Sequence, residues 1–220
     1  MKRSNAGFSL IEVLIAMTIM GLLLGSGVMM GRSLINNAHA KEIVAMATDL
    51  NIAIKNFKER FHYFPGDLPN AANDITAVGQ ASPCHYSGGT HGDGQIGAIA
   101  GNNIDTTEVD CVSNHLYHAG VIKWGAASIS SRYGSVRVIA TAASNFSTIT
   151  LPGNPMHIIE FANLPRDIAM DVDRIMDNSD VSSGRLQGVG KNNADNTIFS
   201  LSGLTLDQLP DPIAFYAIPL

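Results

Sequence analysis

The run from Phe8 to Met30 is apolar apart from one charge, Glu12, and it follows a short basic leader, Met1–Gly7 (MKRSNAG). About 20 apolar residues in helical form cover the hydrocarbon thickness of a bilayer, so this run reads as a membrane-spanning helix. A carboxylate at that depth costs roughly 2.5–3.5 kcal/mol on insertion scales, which predicts that Glu12 serves a partner. Lys2 and Arg3 in the leader hold that end on the cytoplasmic side. A cleaved secretory signal is the competing assignment. Such signals have a shorter apolar core, roughly 7–15 residues, and a small-residue cleavage site, whereas Met29-Met30-Gly31-Arg32 follows here. Ser9-Leu10-Ile11-Glu12 also matches a capping box, S-x-x-E, which opens a helix but does not explain a carboxylate in lipid.

Gly7-Phe8-Ser9-Leu10-Ile11-Glu12 resembles the prepilin processing signature of type IV pilins and of type II secretion pseudopilins. The resemblance is contiguous and covers roughly the first 25 residues. It implies cleavage after Gly7 by a prepilin peptidase, N-methylation of the new terminus at Phe8, and an assembly role for Glu12. One departure is the lack of the proline that many members carry about three turns below the glutamate. Cleavage frees an α-amine at Phe8, mostly cationic because such amines ordinarily titrate at about 7.7–8.0. In lipid, that amine and Glu12 of a neighbouring subunit neutralise one another, and breaking such a pair strands a buried charge at about 3–5 kcal/mol. Gly21-x-x-x-Gly25 and Gly27-x-x-x-Gly31 add small residues at the spacing that lets membrane helices approach closely, although membrane helices also tolerate glycine without any packing role.

Beyond the membrane run, Ile43, Met46, Leu50, Ile54, Phe57, Phe61 and Phe64 recur at steps of three or four, one face of an α-helix, with charged residues on its other sides. Phe64-Pro65-Gly66-Asp67 ends the pattern. A continuous helix from Phe8 to about His62 is on the order of 80 Å long. The expected division is a leader at 1–7, a transmembrane and assembly helix at 8–31, its amphipathic continuation at 32–64, and a globular head at 65–220. Losing the leader removes Lys2 and Arg3 and moves the net charge from −5 to −7. Without basic clusters, that balance argues against nucleic-acid binding as a main role.

The head reads as α+β, an antiparallel sheet packed on the long helix. Helical spacing marks Asn114–Lys123 and, after Pro165, the stretch to Asp177 with Ile168, Val172, Ile175 and Met176 inward. Strand composition marks 135–143, 157–162, 197–201 and 213–218. Residues 70–112 read as a long surface loop. The block Phe61-His62-Tyr63-Phe64-Pro65-Gly66-Asp67-Leu68-Pro69 is similar to blocks in some pilin-like proteins.

Cys84 and Cys111 are the two cysteines, both in the exported half, and an even pair in an oxidising space points to a disulfide. Zinc held by Cys111, His115 and His118, joined by Cys84, His85 or His91, is the alternative, but no CxxC supports it. No cofactor is expected, and calcium is a minority reading. Asp93, Asp105 and Asp110 in one loop, or Asn193 and Asp195 in another, supply oxygen ligands, yet neither loop has the EF-hand pattern and turn chemistry explains both. G-x-S-x-G, P-loop and HExxH motifs do not occur, and Asp167, Asp171 and Asp173 read as a solvated helix face, so no enzyme is expected.

The resemblance therefore implies a filament subunit anchored once in a bacterial inner membrane with its head in the periplasm. Its implied partners are a prepilin peptidase, other pilin or pseudopilin subunits, an inner-membrane assembly platform and lipid. A minor or tip subunit whose head binds a surface ligand, a secretion substrate or DNA is the alternative.

Overall fold

The computed structural model describes residues 9–75, 84, 91–99, 103–104, 106–123, 128–147, 149, 151–192, 197–202, 204–205 and 208–220. One helix, α1, runs unbroken from Leu10 to Phe61, 52 residues or about 78 Å. No proline interrupts it. It ends where His62 takes the left-handed conformation (φ 64°) and gives its N–H to the Lys58 carbonyl at 2.8 Å. The two expected halves differ in what they cover. Large apolar side chains between Leu10 and Ile35, among them Leu14, Met17, Leu22, Leu24, Met30 and Leu34, stay exposed, and from Ala40 onward Ile43, Ala47, Leu50, Ile54 and Phe57 are buried. Met46, Phe61 and Phe64 of the expected stripe sit partly buried at its margin.

After α1 come a short helix α2 (Ala71–Asp74), a small antiparallel pair β1 (Ala98–Ile99) and β2 (Asn103–Ile104), and helix α3 (Thr106–His118). The 70–112 stretch, expected as a loop, is therefore partly structured, and α3 starts eight residues before the expected Asn114. Val109, Val112 and Leu116 give α3 a buried face. Thr, Asp, Cys and Ser, all weak helix formers, fill its first turns and hide that spacing.

The main sheet is built from β3 (Ile129–Ser130), β4 (Ser135–Ala140), β5 (His157–Leu164), β6 (Gln187–Lys191), β7 (Ile198–Ser200) and β8 (Ile213–Pro219), in the order β3-β4-β5-β8-β6-β7, every pair antiparallel. Strand β6 was not expected: its glycines weaken strand composition, and pairing with β8 supplies what propensity lacks. Val138, Ile159 and Ile218 meet across neighbouring strands, as do Val136, Phe161 and Tyr216, and all are buried. The fold is α+β, the long helix packed on a head with a six-stranded antiparallel sheet.

Helix α4 (Arg166–Met176) lies along α1, and Pro165 stands at its N-cap. Ile168 and Val172 point inward as expected. Ile175 and Met176 do not: they are 46% and 37% exposed, and Ala169 and Asp173 are buried instead. The buried line 168–169–172–173 stops where the helix does, so the last turn has no core to meet. Asp173, expected in solvent, is fully buried because it accepts hydrogen bonds from the Tyr216 hydroxyl (2.9 Å) and the Asp180 N–H (2.6 Å).

Candidate functional site

The exposed, apolar N-terminal half of α1 is the first candidate. Its start is set by Ser9, which occupies the N-cap without a side-chain capping bond, so the anticipated capping box does not form. Glu12 lies in the first turn on the exposed helix surface. A Cβ built at Gly21, Gly25, Gly27 or Gly31 meets nothing within 4 Å, so the space beside these glycines is open to another helix. This is a helix long and apolar enough to cross a membrane. Gly7 and Phe8 lie outside the described residues.

The second candidate is the far end of α1, where the Phe61–Pro69 block folds back on the head. Gly66 has φ +95°, which glycine adopts without strain, and a Cβ there would collide with the Glu108 carbonyl oxygen. Its N–H donates to His115 Nδ1 at 2.9 Å, while His115 Nε2 meets the Cys84 carbonyl at 2.8 Å. Because a carbonyl only accepts and an amide N–H only donates, His115 is a neutral imidazole with its proton on Nε2. Asp67, fully buried, accepts the N–H groups of Gly92 and of Gly94 (2.9 Å). Burial pushes its carboxyl above the ordinary range. Phe64 packs on His157 with ring centroids 4.2 Å apart, and Lys58 sits over the Phe64 ring at 3.9 Å.

His157 is buried, and its Nε2 accepts the Ile96 N–H at 3.2 Å. Burial, aided by the positive charge of Lys58, lowers its pKa to about 4. Buried Glu108 accepts the Gly97 N–H at 2.7 Å and faces His91 Nδ1 at 3.1 Å. Cys84 and Cys111 are joined in a disulfide that ties the loop to α3, with 5.5 Å between their Cα atoms. The bridge occupies both thiols, and His115 is committed to backbone groups, which removes the core of the zinc set. Among the described residues no three His, Cys, Asp or Glu side chains stand together as a metal site. Of the calcium candidates, Asp93 accepts the Gln95 N–H at 2.7 Å in a local turn and Asp110 is exposed on α3. Asp105, Asn193 and Asp195 lie outside the described residues.

Sequence reasoning singled out the Phe61–Pro69 block without a role for its members. It missed Asp67 and His157 as loop anchors and Asp173 as the partner of Tyr216. The signal available was a Gly-Asp pair after proline, a turn whose aspartate is free to bond other backbone groups.

Residues 2–28 match the family described as the prokaryotic N-terminal methylation motif. No curated protein and no solved structure matches the chain significantly. The matched segment holds the basic N-terminal stretch from Lys2, Glu12 and most of the exposed apolar stretch of α1, so the chain carries, at its N-terminus, the signature of type IV pilins and pseudopilins.

Proposed function

We propose that this chain is a structural subunit of a type IV pilus-like or type II secretion filament. The observation that carries the reading is the pairing of the methylation motif with an exposed apolar stem that the head leaves uncovered. A prepilin peptidase cuts after Gly7, and Phe8 becomes the methylated terminus. Subunits then leave the inner membrane by stacking their stems. Glu12 registers each stem against the Phe8 amine of a neighbour, because an unpaired carboxylate in lipid is costly and a matched pair is not. The open line at Gly21, Gly25, Gly27 and Gly31 lets stems approach closely. The head stands in the periplasm, where an oxidising environment maintains Cys84–Cys111.

Co-expression with a prepilin peptidase, followed by N-terminal sequencing and mass measurement, tests the reading. The expected product begins at a methylated Phe8. Retention of Met1 by a protein that stays monomeric in the membrane overturns it.

A further inference from the structure

Two buried imidazoles hold the distal end of the head in the same unusual way. Each accepts a backbone N–H through an unprotonated ring nitrogen: His115 from Gly66 and His157 from Ile96. Each ring also lies against a phenylalanine, His115 on Phe57 and His157 on Phe64. A proton on either accepting nitrogen turns it into a donor facing a donor, so the bond is lost and not merely weakened. The other side-chain anchors of the same segment are carboxylates. Asp67 holds Gly92 and Gly94, and Glu108 holds Gly97.

We infer that residues 91–97 form an acid-operated latch: acidification lifts Ile96 off His157, while the carboxylate anchors and the Cys84–Cys111 bridge keep the segment tethered. The groups facing the two rings support this division. Lys58 of α1 is the charge acting on His157, and it opposes a proton there. Around His115 stand Phe57 of α1, Gly66 with the adjacent Asp67, and the Cys84 carbonyl, and Glu108 and His118 share its helix. His91 Nδ1 faces Glu108 at 3.1 Å, and the raised pKa of Asp67 means that the closed form tolerates its neutral acid, so the Asp67 anchor stays shut. Ile96 is fully buried, and its carbonyl accepts the Ala140 N–H at 2.8 Å. Lifting it exposes apolar surface beside a cavity of about 490 Å³ lined by Gln95, Thr141 and Met156. The latch lies at the head's far end, about 44 Å along α1 from Arg32.

The sign follows from linkage. His157 titrates at about 4 when latched, and release toward solvent moves it back toward the ordinary 6.5, so latching is fully favoured above pH 6.5 and is lost as pH falls toward 4. Between pH 7.5 and 5.0 the released fraction at Ile96 rises, by at most about 30-fold if release frees His157 entirely. Amide exchange, read residue by residue by NMR on the full chain in detergent micelles and corrected for intrinsic rates, tests this. Ile96 is expected to lose protection relative to Gly97 by several-fold and at most about 30-fold, and His157→Gln, whose carbonyl accepts but does not titrate, is expected to abolish the change. An Ile96-to-Gly97 ratio that does not move in the wild-type chain overturns the latch, as does a full response in His157→Gln. The wild-type ratio decides alone if that variant does not fold, and neither readout depends on filament assembly.

Discussion

Tyr216 of β8 donates its hydroxyl to Asp173 of α4 across 2.9 Å, with both side chains fully buried. This bond joins the centre of the sheet to the helix that lies along α1, and it is what makes a carboxylate tolerable inside the core. Tyr216→Phe leaves Asp173 with the Asp180 N–H, and the expected loss is about 1–3 kcal/mol in urea unfolding. Burial raises the Asp173 pKa above 3.8, so its contribution to stability is fully present below 3.8 and is lost as pH rises through the folded value. Asp173→Asn should flatten that part of the pH–stability curve.

The disulfide closes a separation of 27 residues, which on the chain-entropy account stabilises by about 3–4 kcal/mol. Replacing Cys84 and Cys111 together by serine should lower the denaturation midpoint accordingly. Reduction of the wild-type head should reproduce the shift. Two free thiols in the purified, unreduced chain would contradict the bridge.

Gly66→Ala should be the most damaging single change in the distal turn. The position has φ +95°, and the new methyl would strike the Glu108 carbonyl. A cost of about 1–3 kcal/mol from backbone strain alone is expected, read as a fall in thermal midpoint. Gly94→Ala, also at positive φ but with open space around the new methyl, should cost less.

Glu12→Val separates assembly from folding. Glu12 is exposed on a stem remote from the head core, so unfolding of the head should be unchanged. Filament yield after co-expression with the assembly machinery should fall steeply, while cleavage after Gly7 continues. Normal yield in this variant would remove Glu12 from the assembly role.

Periodicity alone exposed α1, because a 3.6-residue repeat of large apolar side chains is a local property and survives without any knowledge of what they pack on. The run from Phe8 to Met30 marked a helix long and apolar enough to cross a membrane for the same reason: length and lack of charge are additive along the chain. Strands β4, β5 and β8 were legible from β-branched composition, and the cysteine pair from compartment and count. The early turns of α3 were not, since polar weak helix formers mask a buried face that only the neighbouring β4 and α1 define. Nor were the partners of Asp67, His115, His157 and Asp173, which lie between 7 and 61 positions away along the chain. Their burial is set by which backbone N–H or hydroxyl the fold brings within about 3 Å. One-dimensional pattern thus decided the stem, its processing motif and the class of the head, whereas side-chain chemistry at the distal end came into being only when remote segments met and water was excluded.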